Sequence, residues 1–200
     1  MKPITLIVLF TILSLSLHGQ LFDKSYYTKG TIITKKDTIK AYIDVNDEAF
    51  GYKIKYKLNQ EDKKVLRVLT DSVVYLKTTL GTYERVEINK TSSLMKLLEK
   101  GAVSLYKNIY MRAAAPMYNG ASGTFINGGS SEKVEYYLLY NSESYKVKKR
   151  TLKEKLKSLM ADYPEIVTDI EAVKFKNLFL EIDLKKIVSK YNRYKKMNNG

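Results

Sequence analysis

Ser93-Leu94-Met95-Lys96 carries the serine–lysine spacing of an acyl-transfer nucleophile, in which the amine would take the hydroxyl proton. The Ser-Asp-Asn and Lys-Thr-Gly stretches that accompany that chemistry are missing, and Lys77-Thr78-Thr79 is the nearest approach to the second. Four residues match by chance too often to define a site, so the tetrad reads as structure. Asp44, Asp47 and Glu48 gather carboxylates after an apolar alternation, an oxygen set of the kind calcium takes. They lack the spacing and glycine of a helix-loop-helix calcium loop and read as a solvated turn. Glu84 and Glu87 fall on opposite faces of a regular strand, which excludes them as a glycosidase pair. Gly120, Gly123, Gly128 and Gly129 do not have the spacing of a phosphate-binding loop.

The inventory restricts the chemistry more than any motif does. The chain has 200 residues, no Cys, no Trp and a single His. That histidine, His18, lies in a segment with the form of a secretory signal: Lys2, then the apolar run Ile4–Leu17, then the small residue Gly19. The run is shorter than the roughly 20 residues a bilayer-crossing helix needs. Residues 1–19 therefore read as a cleavable signal, cut between Gly19 and Gln20. No Cys follows the run to carry a lipid anchor. A chain from Gln20 onward has neither imidazole nor thiol. It cannot assemble Ser-His-Asp or Cys-His nucleophiles, the usual zinc, copper, haem or iron–sulfur centres, or a disulfide. No cofactor and no metal are expected, and the reading leans away from an enzyme.

Charge is the next feature. The formal net charge is +14. Residues 146–200 carry 15 basic and 7 acidic side chains, and the densest run is Lys146, Lys148, Lys149, Arg150, Lys153, Lys155 and Lys157. Such a run attracts polyanions, and an exported chain meets anionic glycan, lipid head groups or acidic protein before it meets nucleic acid. Lys146, Lys148, Lys149, Arg150, Lys153 and Lys157 are the candidate anion-binding surface.

The elements that must position these residues follow from hydropathy. Period-two alternation marks strands at Thr31–Lys35, Ile39–Val45 and Tyr52–Leu58, where Lys53, Lys55 and Lys57 take the face opposite Tyr52, Ile54, Tyr56 and Leu58. Asn59–Asp62 is a turn. Further strands read at Val65–Leu69, Ser72–Lys77, Tyr83–Ile88, Ala102–Tyr110, Val134–Tyr140 and Ser144–Lys148. Residues 111–132 are rich in Gly, Ala, Ser and Asn and read as a long exposed loop or a flap at the end of a hairpin. The 17 tyrosines, many on strands, suit strand propensity and core packing. From Thr151 the period becomes helical. Thr151 with Glu154 has the capping-box spacing, and Leu152, Leu156, Leu159 and Met160 form one stripe. Pro164 opens a second helix with Ile166, Val167, Ile170 and Val173 inward. Asp183 caps a third, with Leu184, Ile187, Val188 and Tyr191 as its stripe, and the tail from Lys195 frays.

The expected architecture is α+β: an antiparallel curled sheet or small open barrel followed by three short C-terminal helices. The divisions are a signal at 1–19, a β-rich domain at 20–149 and a helical segment at 150–200 packed on the sheet.

The hairpin from Gly30 to Asp44, GTIITKKDTIKAYID, resembles the opening of an exported protein family of Bacteroidota with the pattern G-x-I-x-x-x-x-G-D-T-I-K-G-Y-I; Lys36 and Ala41 stand where that pattern has glycine. Leu97–Tyr106, Ala161–Ile166 and Ile187–Asn192 are similar to later segments of the same family, in the same order. The resemblance implies export and carries no activity and no catalytic residue. It also brings the O-glycosylation pattern of that phylum, Asp followed by Ser or Thr and then a small or apolar residue. Asp37-Thr38-Ile39 and Asp71-Ser72-Val73 fit it, so Thr38 and Ser72 are candidate glycosylation positions. The functional expectation is a non-enzymatic cell-envelope binding or accessory protein, periplasmic, outer-membrane-associated or extracellular. The alternatives are a carboxylate-dependent hydrolase of an envelope polysaccharide, which needs a raised carboxyl pKa, and a docking subunit of an outer-membrane assembly, which needs an exposed apolar patch.

Overall fold

The computed structural model describes residues 26–45, 50–88, 90–113, 115, 117–119, 121, 123–126 and 129–198. The expected signal, Asp47, Glu48, Gly120 and Gly128 lie outside them. The strands are β1 (Tyr27–Thr34), β2 (Thr38–Asp44), β3 (Lys53–Lys57), β4 (Leu66–Leu69), β5 (Val73–Thr78), β6 (Gly81–Ile88), β7 (Thr91–Glu99), β8 (Val103–Ala113), β9 (Met117–Asn119), β10 (Thr124–Ile126), β11 (Ser130–Tyr140) and β12 (Glu143–Lys146). Three helices follow: α1 (Leu152–Leu159), α2 (Pro164–Ala172) and α3 (Leu180–Asn198). Ten strands form one open antiparallel sheet in the order β12-β11-β8-β7-β6-β5-β1-β2-β3-β4, and β9 pairs with β10 apart from it. The fold is α+β, and the sheet is not closed into a barrel.

Two meanders meet at β1 and β5. Strand β4 ends the first at the sheet edge, and three residues, Thr70–Ser72, return the chain to β5, four strand positions away. In a flat sheet that displacement is roughly 19 Å, whereas four peptide units reach roughly 14 Å. Strands β1–β5 must therefore roll, and their shared face becomes a core. Ile32, Ile43, Ile54, Val73, Leu76 and Tyr83 are buried there together, with Phe50 edge-on to Tyr83 at 4.9 Å. Gly30 lies at the tightest point of the roll. A Cβ on it would come within 2.4 Å of both the Lys77 carbonyl oxygen and Ile43. Arg85 fastens the corner: its guanidinium donates to the carbonyls of Val73 (2.6 Å) and Thr70. The Thr70 hydroxyl donates to Gly51 O at 2.5 Å.

The helices cover the same face of the sheet farther along, over β8 and β11. Val103, Leu105 and Leu138 pack with Leu152, Leu156, Leu159, Met160, Ile166, Ile170, Leu184, Ile187, Val188 and Tyr191, which are the stripes the heptad spacing predicts. Asn192 of α3 closes this core. Its amide oxygen accepts from Val103 N–H at 2.9 Å and its amide nitrogen donates to Val103 O at 2.8 Å, as a neighbouring strand would. Gly101 leaves room for that amide, since a Cβ there would meet Asn192 at 2.3 Å. Asp162, in the α1–α2 turn, receives Tyr191 OH at 2.8 Å and Lys195 Nζ at 3.0 Å. Burial works to raise the Asp162 pKa, but these two donors outweigh it and hold the carboxyl below its usual range. Tyr163 stacks on Tyr194 at 4.1 Å.

Several local expectations are corrected. Strand β7 falls where no strand is predicted, because TSSLMKLLE has neither clean alternation nor many β-branched residues; pairing to β6 and β8 imposes its conformation. Of the two readings of residues 111–132, the flap at the end of a hairpin holds: β8 and β11 pair through the first and last three residues of the stretch, and the short pair β9–β10 lies between. Thr151 makes no side-chain capping bond, because it closes a 3-10 turn (Lys149–Thr151) that enters α1. Helix α3 begins at Leu180, so Asp183 sits inside its first turn rather than capping it. That helix has 19 residues and stays helical through Asn198, tied at Lys195 to Asp162, so the third helix is not short and its described tail does not fray.

Asn192→Ala leaves the buried Val103 N–H and C=O unpaired, so unfolding free energy should fall by roughly 2–4 kcal/mol in chemical denaturation. Asn192→Asp should cost nearly as much, since a carboxylate cannot donate to Val103 O. A loss below 0.5 kcal/mol, about the scale of an unremarkable surface change, would mean that the amide does not lock the helix to the sheet.

Candidate functional site

Antiparallel pairing decides which backbone groups at the start of the basic run face the edge of the sheet. Val147 N–H donates to Tyr136 O at 2.8 Å, so Tyr145 and Val147 bond toward β11, while the backbone groups of Ser144, Lys146 and Lys148 face the open edge. Strand β12 is the last in the sheet, and among the described residues no other strand pairs with that side. Between this edge and α1 lies a cleft of about 630 Å³. Leu138, Tyr145, Val147 and Leu152 line its apolar part, Ser144, Thr151 and Ser158 supply hydroxyls, and Lys146, Lys148 and Lys155 supply cations, with Glu154 the one acid.

The six residues singled out by sequence divide into two groups. Lys146 is committed to Glu135 at 2.5 Å. Lys153 donates to Glu171 O at 2.6 Å, and Lys157 pairs with the Glu171 carboxylate at 2.5 Å. These two lysines clamp α1 to the end of α2 and hold Glu171 below its usual carboxylate range. Lys148, Lys149 and Arg150 have no acid partner among the described residues and occupy the turn between β12 and α1. Lys155, outside the original six, lies over the Tyr145 ring at 3.4 Å from its centroid. The run is therefore part fastening and part free charge, and only the free part is available to a ligand.

A second cationic field lies on the outer face of the rolled sheet. Register places Lys40, Thr31 and Lys77 in one row and Lys57, Tyr42 and Lys29 in another, and sets Lys55 beside Arg67. Neighbouring lysines in a row are two strands apart, roughly 10 Å. Lys29 reaches the Tyr42 ring (5.9 Å) and Lys57 the Tyr27 ring (4.6 Å). Lys29, Lys40 and Lys77 border a cleft of about 670 Å³. The reading of single strands finds Lys53, Lys55 and Lys57 but not this field, which depends on strand order. Its signal in the sequence is that each strand places its lysines opposite its apolar residues.

A third feature was missed. Leu178, Phe179 and Ile182, at the start of α3, are 82%, 49% and 64% exposed. Their signal is that they lie off the stripe of Leu184, Ile187, Val188 and Tyr191.

The remaining motifs resolve as structure. Ser93 pairs with Val86 and Lys96 with Tyr83, so the two residues of the serine–lysine tetrad point to opposite faces of β7 and cannot share a proton. Glu84 receives Lys100 Nζ and Tyr106 OH, both at 2.8 Å. Glu135 receives Lys146, Tyr137 OH (2.7 Å) and Tyr110 OH (2.8 Å). In each acid, burial works to raise the pKa and the donors outweigh it, so both carboxyls are lowered. The opposite ends of these bonds are raised: burial, then the carboxylate, lifts the phenols of Tyr106 and Tyr137. Tyr136, buried and beside Glu181, is pushed up to about 12. The raised carboxyl that the hydrolase alternative needs is not among the shifts of the described residues, since Glu84, Glu135, Asp162 and Glu171 all move down. Thr38 is exposed at the start of β2, whereas Ser72 is half-buried with its hydroxyl donated to Leu69 O at 2.7 Å.

Like charges on one rolled face repel, and salt screens exposed charges over about 8 Å at physiological strength. The melting temperature should therefore rise as NaCl goes from low to physiological concentration, and Lys40→Gln/Lys77→Gln should shrink that rise; an unchanged rise in the double variant would mean the field is not strained. Comparison with protein-family models, curated proteins and solved structures finds no match, so the function has to be read from these surfaces themselves.

Proposed function

We propose that the protein is a non-enzymatic, exported binding or accessory module of the cell envelope that engages an anionic partner through the end of the molecule at β12 and α1. One observation carries this reading: Lys148, Lys149 and Arg150 are three successive cations with no acid partner among the described residues, and the first of them lines a partly apolar cleft. Lys146, Lys153 and Lys157, bound to Glu135 and Glu171, brace the strand edge and helix on either side of them. Export is supported by the residues of the leader-like segment and by the family resemblance of the hairpin at Gly30–Asp44. No helix of the described residues is long and apolar enough to cross a membrane.

Binding to immobilised sulfated dextran, a generic polyanion, should be strong at low salt and fall steeply toward 0.15 M. Lys148→Glu/Lys149→Glu/Arg150→Glu should weaken it by roughly tenfold or more, at about 1 kcal/mol per cation near an anionic surface. Retention unchanged by the triple reversal would remove this end as the contact surface.

Export into an envelope that glycosylates Asp-Ser/Thr sites would modify Thr38 in preference to Ser72, because the Thr38 hydroxyl is exposed and the Ser72 hydroxyl is already donated. Intact mass of protein purified from native envelope should exceed the polypeptide mass, and Thr38→Ala should remove the larger share of the excess. An unmodified mass would end the idea.

A further inference from the structure

Leu178, Phe179 and Ile182 form an apolar prong that belongs to none of the buried clusters of the described residues. The sequence from Lys174 is KFKNLFLEIDLKK. Phe175 is buried in the helix core although its φ is +41°, a conformation a bulky side chain adopts at a cost on the order of 1–3 kcal/mol. With Phe175 anchored, the chain turns outward through Asn177–Phe179, returns against the core at Leu180 and is fully buried again at Leu184. The prong is the crest of that excursion. Lys174, Lys176, Lys185 and Lys186 are exposed around it and have no acid partner among the described residues. Of the acids beside it, Glu181 is occupied by Lys107 (3.2 Å) and Tyr136 OH (3.1 Å), which leaves Asp183 against four lysines.

Two links set the prong at the same end of the molecule as the free cations of the β12–α1 turn. Lys153, in the first turn of α1, donates to the Glu171 carbonyl at the end of α2, two residues before the stretch that leads to the prong. Tyr136, whose carbonyl accepts from Val147 N–H, places its hydroxyl on Glu181 in the first turn of α3. Lys174, Lys176, Lys185 and Lys186 therefore make a collar about three exposed apolar side chains, and Lys148, Lys149 and Arg150 add three cations at the same end.

We propose that this end docks on an anionic lipid surface, with Leu178, Phe179 and Ile182 entering the interfacial layer and the collar meeting the head groups. The inference builds on the proposed anionic partner and names it. Lipid is favoured over a protein groove because the apolar group is a projecting crest. A fluid interface accepts a crest without a matching cavity, and basic collars around aromatic and aliphatic tips gain from both burial and anionic head groups.

The chain has no tryptophan, so Phe179→Trp makes a single fluorescent reporter at the crest. Its emission should shift to the blue with vesicles of phosphatidylcholine and phosphatidylglycerol, and stay unchanged with phosphatidylcholine alone. Leu178→Ser/Phe179→Ser/Ile182→Ser should weaken co-sedimentation with the anionic vesicles by roughly tenfold or more while leaving retention on sulfated dextran intact. No blue shift at lipid excess overturns the inference, whatever the dextran retention. A wild-type protein that self-associates through the prong, with the serine variant monomeric and equally bound to vesicles, also overturns it. A blue shift that survives Lys148→Glu/Lys149→Glu/Arg150→Glu upholds insertion of the prong and removes the β12–α1 cations from the proposed function.

Discussion

The three-residue step from β4 to β5 is the constraint on which the rest of the molecule depends. It is too short to cross a flat sheet, so strands β1–β5 roll around their apolar face, and Arg85 pins the roll by donating to Thr70 O and Val73 O. Rolling assigns every residue of those strands a destination. Ile32, Ile43, Ile54 and Leu76 go to the inside, and Lys29, Lys40, Lys55 and Lys77 go to the outside because strand side chains alternate. The outer lysine field is thus a consequence of topology joined to alternation. It costs like-charge repulsion, which the inner core offsets.

The second half of the sheet solves the same burial problem differently. Strands β8 and β11 bury Val103, Leu105 and Leu138 under three helices, while Tyr106 and Tyr137 on their other side are buried with Val86 and Met95. The helices must be held in register with the sheet, and Asn192 does this by bonding the Val103 peptide on both its groups. Segments 97–106, 161–166 and 187–192, far apart in sequence, meet here: Asn192 on Val103 and against Gly101, and Tyr191 on Asp162. Their residue types follow from that meeting. Glycine makes room, asparagine pairs with a peptide, and tyrosine reaches an acid from a buried ring. This junction fixes the position of the helices on the sheet.

Legibility in the sequence followed locality. The alternation of Lys53–Lys57 and the helical stripes of Leu152–Met160 and Leu184–Tyr191 are local, and they hold, whereas Tyr52 and Leu58, read as inward ends of the same alternation, lie beyond β3 and are exposed. Strand β7 was hidden because its residues favour no one state and its conformation comes from its neighbours. The start of α3 was misplaced by four residues, at Leu184 instead of Leu180, because Asp183 has the chemistry of a cap, while the turn at Asn177–Phe179 had already begun the helix. For the candidate site, composition located the cationic run but could not divide it. Lys153 and Lys157 look identical to Lys148 and Lys149 in sequence. They differ only because Glu171, on another helix, comes within reach.

That division sharpens what the exposed prong means. A single exposed leucine needs no explanation, but three adjacent large apolar side chains beside a strained, buried phenylalanine do. Helix α3 already buries Leu184, Ile187, Val188 and Tyr191, so polar residues at 178, 179 and 182 would leave its packing unchanged. The positive φ at Phe175 shows the opposite of relaxation: backbone strain is held there by core burial, and its geometric result is to lift Leu178 and Phe179 into solvent. Strain that persists beside an unburied apolar crest is stabilised by the core and used outside it. The fold ends its sheet in a cationic turn and its helical layer in an apolar crest, side by side. An anionic interface is the environment in which both are satisfied at once.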